Sequence, residues 1–244
     1  MKRALVSGFA AVVAIALWMR AGDAEALTTT TGCAQVDSCT LQELTLGASM
    51  TVNHMLFTNW SVSDASANQV VLSDIRVFPL DDQTARPGLR YLASPGALQT
   101  LGFDEVDLDV AYAVSMFGGS QRIAGASLLV SDVDFAVGNV GGLVKVSTDL
   151  LANNGVDLLG ELDVLALPAA PPPLPEQLAF AAAASIIVQT NVLITGDDQG
   201  DEVSLGSFTQ RVSEIPEPGS LAILGLALTA IWNIGRSSIH RRPA

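Results

Sequence analysis

The stretch FDEVDLDVAYAVSMF, residues 103–117, alternates apolar side chains with polar or small ones over six successive pairs. Successive side chains of a β-strand point to opposite faces, so this period of two predicts a long strand with one buried side. Asp107 and Asp109 fall on the opposite, solvent-facing side. The apolar positions are Val106, Leu108, Val110, Tyr112, Val114 and Met116.

Shorter stretches of similar character lie on both sides of this strand. Clusters of Gly, Pro and Asn separate them, such as Pro87-Gly88 and Asn153-Asn154-Gly155, which are residues that turns favour. The sequence therefore predicts many short strands joined by turns. The predicted strands are residues 51–57, 70–78, 88–93, 128–137, 143–148, 156–165, 185–195 and 202–212.

This pattern favours an all-β fold, an antiparallel β-sandwich of the jelly-roll or immunoglobulin-like kind. A helix competes only at residues 175–185, where four alanines follow one another. The segment PAAPPPLP, residues 168–175, is too rich in proline for a strand or a helix interior and predicts an extended loop. We expect that loop to lie within one sandwich; the alternative is a boundary between two domains.

The N-terminal residues have the three parts of a secretory signal. Lys2 and Arg3 precede an apolar run over residues 4–19. Ala24 and Ala26 then form an A-x-A cleavage site for signal peptidase. We therefore expect signal peptidase to remove residues 1–26 during export. The alternative is an uncleaved membrane anchor.

The C-terminal residues 215–244 contain a second targeting pattern. Pro216, Glu217 and Pro218 precede sixteen uncharged residues, 219–234, which as a helix would rise about 24 Å against a hydrocarbon core of roughly 30 Å. Basic residues just beyond a span favour the cytoplasmic side, so the preceding domain would lie outside the membrane. Those basic residues are Arg236, Arg241 and Arg242.

This tail resembles the PEP-CTERM sorting signal of Gram-negative bacteria. The resemblance implies that exosortase, a membrane protease, processes the chain near Pro216, Glu217 and Pro218. It also implies a place at the cell surface or in the extracellular matrix, among exopolysaccharide and biofilm components. Residues 27–214 would then be an extracellular sandwich domain, and residues 39–63 resemble the opening of many such proteins. An ordinary C-terminal anchor is the alternative.

The charge of the body excludes one class of partner. Residues 27–218 contain 23 acidic and 6 basic residues, a formal charge of −17. Such a field repels nucleic acids and anionic lipids, favours cations and keeps the domain soluble. We therefore expect no nucleic-acid partner.

Only two cysteines are present, Cys33 and Cys39. In an exported protein they are expected to form a disulfide that closes a short loop near the mature N-terminus. Two cysteines without a neighbouring histidine do not make a structural zinc site, which needs four ligands.

Catalytic patterns are weak. His54 is the single histidine before the tail, it falls in a predicted strand, and no G-x-S-x-G motif accompanies it. Trp60 is expected to pack in the core. Three aspartate pairs could serve a glycoside hydrolase, which needs two carboxyl groups at a set separation, although solvent-facing positions explain them as well. The pairs are Asp107 with Asp109, Asp132 with Asp134, and Asp197 with Asp198.

An acidic turn is the candidate metal site. Four carboxylates surround Gly200, and Ca²⁺ binds clustered hard oxygen ligands, although the spacing does not match an EF-hand loop. An acidic surface hairpin is the alternative. The four candidate ligands are Asp197, Asp198, Asp201 and Glu202.

Together these features predict a secreted, non-enzymatic surface or matrix protein without a cofactor other than this Ca²⁺. Exosortase, signal peptidase, the membrane and exopolysaccharide are the expected partners. Two other functions stay open: a calcium-dependent carbohydrate-binding module, and a secreted carbohydrate-active hydrolase that uses paired aspartates.

Overall fold

Two antiparallel β-sheets, each of seven strands, face each other across a shared hydrophobic core. This arrangement is seen in a computed structural model, which describes residues 28–82, 86–117, 121–136 and 141–216. It confirms the predicted all-β antiparallel sandwich. Within these residues the helical segments span only a few residues each.

The first sheet has the strand order β1-β3-β4-β8-β13-β10-β11. Its central strands come from distant parts of the chain, so β8 pairs with β4 on one side and β13 on the other. The strands are β1 (Thr28–Thr31), β3 (Ser49–Val52), β4 (Met55–Asp64), β8 (Glu105–Met116), β10 (Leu143–Ala152), β11 (Leu158–Ala166) and β13 (Ser185–Thr195).

The second sheet has the order β12-β9-β14-β6-β5-β2, and β7 pairs with β14 beside this path. The proline-rich segment after β11 crosses from the first sheet to the second. The strands are β2 (Cys39–Thr40), β5 (Ile75–Leu80), β6 (Gly88–Ala93), β7 (Gln99–Leu101), β9 (Gln121–Phe135), β12 (Glu176–Ala183) and β14 (Glu202–Pro216).

Strand β8 shows why the sequence forms this fold. The apolar residues at its alternate positions from Val106 to Val114 are at most 4% exposed. The intervening residues line the outer surface of the sheet. Burial of one face of each sheet against the other supplies the main driving force for folding.

Aromatic side chains fill the centre of the core. Trp60 is 7% exposed, which confirms its predicted burial, and its ring stacks on Tyr112 with centroids 4.4 Å apart. Tyr91 and Phe208 of the second sheet stack at 4.2 Å. Between the two sheets, the ring of Trp60 meets that of Tyr91 edge-on, with centroids 6.5 Å apart.

Three of the predicted elements differ from the structure. Residues 51–57 form a hairpin rather than one strand, because Asn53 adopts a positive φ of 55°, which asparagine tolerates in turns. Within residues 70–78, a 3₁₀ turn at Leu72–Asp74 precedes β5. The candidate helix at 175–185 is strand β12, because Leu178 and Phe180 alternate toward the core.

The N-terminal disulfide between Cys33 and Cys39 is present, as predicted. It adjoins a short helix, α1 (Leu41–Thr45), whose capping box joins Thr40 and Glu43. The Glu43 carboxylate accepts hydrogen bonds from the backbone N–H groups of Thr40 (2.7 Å) and Ala34 (2.8 Å). These bonds favour the ionised form and lower the pKa of Glu43.

The predicted targeting segments lie outside the described residues. This applies to the signal peptide at 1–26, to Glu217 and Pro218, and to Arg236, Arg241 and Arg242. Pro216 is described only as the last residue of β14. In the part of the chain that the structure describes, no helix combines the length and apolar character needed to span a bilayer.

Candidate functional site

The outer surface of the first sheet carries a continuous group of polar side chains, and we call it the polar face. Strands β4, β8, β13 and β10 contribute to it through their outward positions. Pairing aligns these positions in rows across the sheet, for example Ser63, Asp109, Asn191 and Ser147. The polar face comprises Ser61, Ser63, Asp107, Asp109, Ser147, Asp149, Gln189 and Asn191.

Asn191 organises the middle of the polar face. It lies directly opposite Asp109 in the β8–β13 ladder and diagonal to Asp107. Its Nδ2 donates to Oδ1 of Asp107 (2.6 Å) and to Oδ1 of Asp109 (3.0 Å). One neutral amide therefore holds two carboxylates that would otherwise repel each other.

A shallow cleft of about 370 Å³ lies beside these groups. Its floor includes Ala111, whose small side chain stands opposite Ser61 on one side and Gln189 on the other. A β-bulge in β4, with Asn59 at a φ of 56°, shifts the register next to the cleft. The cleft thus combines a small apolar floor with polar walls.

The chemistry of this face suits binding better than hydrolysis. Glycoside hydrolysis places two carboxyl groups on opposite sides of the scissile bond, about 5 to 9.5 Å apart. Asp107 and Asp109 instead occupy one strand and share the amide of Asn191, so both would contact a ligand from the same side. Carboxylate, amide and hydroxyl groups in rows can exchange hydrogen bonds with a ligand rich in hydroxyl groups.

The second predicted aspartate pair lies on the other sheet. Asp132 has a φ of 55° in an irregular part of β9, and it accepts a hydrogen bond from Ser207 Oγ (2.6 Å). Arg90 lies 3.6 Å from the same carboxylate. Gly206 faces Asp132 so closely that an added Cβ would approach the Asp132 Cβ to 2.8 Å. These contacts give Asp132 a structural role in joining three strands.

The acidic turn around Gly200 does not point its carboxylates at one centre. Asp201 is only 4% exposed, and its Oδ2 accepts from the backbone N–H groups of Asp197 (2.7 Å) and Asp198 (2.8 Å). Glu202 accepts a hydrogen bond from Gln99. Over residues 28–82, 86–117, 121–136 and 141–216, no group of three or more His, Cys, Asp or Glu side chains is placed to hold a metal ion. Calcium binding here stays a prediction.

His54 lies in the turn between β3 and β4, not in a strand as predicted. Its side chain is exposed, and its ring lies 6.3 Å from that of Phe117. The structure therefore places it at one end of the sandwich, away from the polar face.

Sequence patterns identified Asp107 and Asp109 but missed Asn191 and Gln189. Both missed residues occupy outward positions of the predicted strand 185–195, so their side could have been assigned from the alternation. Their contact with residues 107–111 depends on the pairing of β13 with β8, which no local signal gives.

Comparisons with known proteins add little beyond the fold. No family model matches the chain, and no curated protein matches it.

Among solved structures, the carbohydrate-binding module TmCBM61, in complex with β-1,4-galactotriose, is 13% identical over 65% of this chain and 88% of that chain, with a TM-score of 0.29. A carbohydrate-binding module from Cellvibrio mixtus lichenase 5A, in complex with cellotriose, is 12% identical over 63% of this chain and 95% of that one, with a TM-score of 0.23. The enzymatically active domain of tailspike protein 4 of bacteriophage CBA120 is 10% identical over 65% of this chain and 19% of that chain, with a TM-score of 0.27. At such identities and scores these likenesses transfer neither a ligand nor a site, and the sandwich is established by the strands of this chain itself.

Proposed function

We propose that this chain is an exported, non-enzymatic surface protein that binds an uncharged polysaccharide on the polar face of its sandwich. The observation that carries the proposal is the Asn191 amide bound to both Asp107 and Asp109 beside the cleft at Ala111. This arrangement presents fixed acceptors and donors on a rigid sheet, which suits the hydroxyl groups of a sugar chain.

The dimensions of the polar face agree with an extended ligand. Neighbouring strands lie about 4.8 Å apart, so the row from β4 to β10 extends over roughly 14 Å. That length exceeds one sugar ring. The outward residues of these four strands include no aromatic ring among those described, so hydrogen bonds alone would hold the ligand and each site would bind weakly.

The charge of the domain selects the kind of polysaccharide. With a formal charge of −17 over residues 27–218, the domain repels anionic polymers at low salt. A neutral glycan meets no such barrier. We therefore propose neutral exopolysaccharide as the ligand class.

Export and sorting form the second part of the proposal. The signal sequence at 1–26 and the tail at 215–244 support secretion, transient anchoring and processing by exosortase near Pro216, Glu217 and Pro218. Such processing would release an acidic domain that stays associated with the matrix through its weak, repeated glycan contacts. The resemblance of the tail is the support for this route.

Affinity electrophoresis of the purified full chain in gels that contain neutral or anionic polysaccharides tests the ligand class. We expect retardation only by neutral polymers, and loss of retardation in Asn191→Ala and Gln189→Ala. Thr209→Ala, a change on the outer surface of the second sheet, is the matched control. Equal retardation of all variants would exclude the polar face as the binding site.

The intact mass of the protein from its own cells tests the sorting route. We expect a mass that lacks the leader and the tail, and a retained tail when exosortase is deleted. A tail that persists in both strains would contradict processing by that enzyme, without bearing on the glycan proposal.

A further inference from the structure

The last strand of the sandwich leads directly into the apolar run of the tail. Strand β14 remains paired up to Pro216, which stands opposite Gln121 of β9. Only Glu217 and Pro218 separate it from the uncharged residues 219–234. Consecutive Cα atoms are 3.8 Å apart, so Gly219 lies at most about 11 Å from Pro216.

That distance is close to the thickness of one headgroup layer. The polar layers add roughly 5 to 8 Å on each side of the hydrocarbon core. If the apolar run enters a bilayer, the end of the sandwich from which β14 leaves must therefore lie at the headgroups. No flexible linker could hold the domain away from the membrane.

Both sheets contribute to this end of the sandwich, which we call the exit end. Ile215 pairs with Arg122 of the second sheet. From the first sheet, the backbone N–H of Phe117 donates to the carbonyl oxygen of His54 (2.9 Å). Burial raises the pKa of Glu214 of the second sheet, and the nearby His54 partly opposes this shift. The exit end comprises His54, Arg86, Phe117, Arg122, Arg211, Glu214 and Ile215.

Phe117 and Ile215 are among the apolar side chains exposed at the exit end, together with Val156 and Leu158, which flank Asp157. Phe117 is 47% exposed and Ile215 is 40% exposed. Phe117 and Ile215 lie beside the start of the apolar run. Aromatic and aliphatic side chains are suited to the interface between headgroups and hydrocarbon.

Charge also distinguishes the exit end from the opposite end. Three of the six basic residues between 27 and 218 lie there: Arg86, Arg122 and Arg211. Its acidic groups are Asp81, Asp82, Asp157 and Glu214, and Asp82 is paired with Arg211 at 2.8 Å. The opposite end has the basic side chain of Lys145, which is paired with Asp163 at 3.3 Å. Its acidic groups are Asp64, Asp104, Glu105, Asp134, Asp197, Asp198, Asp201 and Glu202.

We propose that the exit end docks on a lipid surface while the tail is still attached, with Phe117 and Ile215 at headgroup depth and Arg86 and Arg122 facing the headgroup phosphates. This inference rests on the proposed function, because it requires the apolar run to enter the membrane. The docking orients the sandwich so that its acidic opposite end points away from the bilayer.

Nitroxide labels on the full chain test this orientation. Single cysteines are introduced as Phe117→Cys, Ile215→Cys, Asp198→Cys and Leu226→Cys, while Cys33 and Cys39 stay paired. The chain is reconstituted into vesicles of phosphatidylethanolamine with phosphatidylglycerol, and collision with a water-soluble relaxation agent is compared with collision with oxygen. We expect labels 117 and 215 to lose severalfold in accessibility to the water-soluble agent, while label 198 does not change.

Arginine variants test the electrostatic part. Arg86→Glu with Arg122→Glu should restore the water accessibility of label 117. Arg90→Glu, on the outer surface of the second sheet, is the matched control and should leave the label protected.

The label at Leu226 separates failure of docking from failure of the proposed function. If label 226 lies in hydrocarbon while labels 117 and 215 stay in water, docking is overturned and membrane insertion stands. If label 226 lies in water, the membrane route itself is wrong. Protection of label 117 only in native membranes, and not in lipid vesicles, would identify a protein partner and overturn the lipid proposal.

Discussion

The phenol of Tyr112 donates a hydrogen bond to Oε1 of Gln210 across the core, at 2.9 Å. Tyr112 belongs to the first sheet and Gln210 to the second. Nε2 of Gln210 donates onward to the hydroxyl oxygens of Thr148 (2.8 Å) and Thr190 (2.7 Å). This buried polar cluster fixes one lateral alignment of the two sheets, because any shift would leave its groups unpaired in an apolar core.

Removal of the central amide should be costly. Gln210→Ala removes the partner of the buried Tyr112 hydroxyl and leaves the hydroxyls of Thr148 and Thr190 only their mutual contact at 3.3 Å. An unsatisfied buried polar group costs roughly 1–3 kcal/mol. We therefore expect a loss of at least about 2 kcal/mol in the free energy of unfolding, measured by urea denaturation. Thr209→Ala, at the neighbouring outward position, is the control. A loss no larger than that of the control would show that the cluster contributes little.

Alkaline pH should unfold the protein through its tyrosines. The chain has two tyrosines, and burial raises the pKa of Tyr91 and Tyr112 well above the ordinary value of 10.0. Their neutral forms are favoured in the fold, so this contribution is complete below about pH 10 and is lost as pH rises beyond it. Phenolate absorbance should therefore appear in one cooperative step together with the loss of β-sheet circular dichroism. Gradual titration of the folded protein near pH 10 would contradict the burial of both rings.

The disulfide should stabilise the N-terminal loop to a limited extent. Cys33 and Cys39 are six residues apart, and closure of so short a loop is worth about 2 kcal/mol. The double variant Cys33→Ser, Cys39→Ser should unfold at a correspondingly lower urea concentration and keep the same sheet content. An unchanged midpoint would indicate that the capping box at Glu43 holds the loop without the disulfide.

Asp201 should matter for stability whether or not calcium binds. Its carboxylate accepts two backbone hydrogen bonds in the turn, so Asp201→Ala should cost roughly 1–3 kcal/mol, while Asp201→Asn keeps one acceptor oxygen and should cost less. Thermal unfolding with and without Ca²⁺ tests the calcium prediction in the same samples. If Ca²⁺ raises the Tm and Asp201→Asn abolishes that rise, the ion coordinates the Asp201 carboxylate in place of the two backbone N–H groups.

Asn191 should act on both stability and binding. In Asn191→Ala the carboxylates of Asp107 and Asp109 lose their shared donor and face each other with like charge. We expect a small loss of stability, about 1 kcal/mol, that shrinks at high salt because added ions screen the repulsion. Urea denaturation at low and high salt measures it, and Asn191→Asp should be worse than Asn191→Ala. The reverse order would show that the two carboxylates do not depend on this amide.

The sequence alone determined the fold class and the inward or outward direction of many side chains. The alternation from Val106 to Met116 made one side of β8 apolar, and burial of that side follows from the hydrophobic effect without knowledge of any partner strand. The short spacing of Cys33 and Cys39 likewise made their disulfide predictable, since loop closure over six residues is a local event.

Only the tertiary structure decided which strands are neighbours. Asn191 meets Asp107 and Asp109, and Gln210 meets Tyr112, across more than eighty residues of chain. An alternating pattern fixes the face on which a residue lies but carries no information on strand order, because every two-sided strand presents the same period. The polar face, the buried polar cluster and the exit end therefore arise from pairings between distant segments, which the whole core selects together.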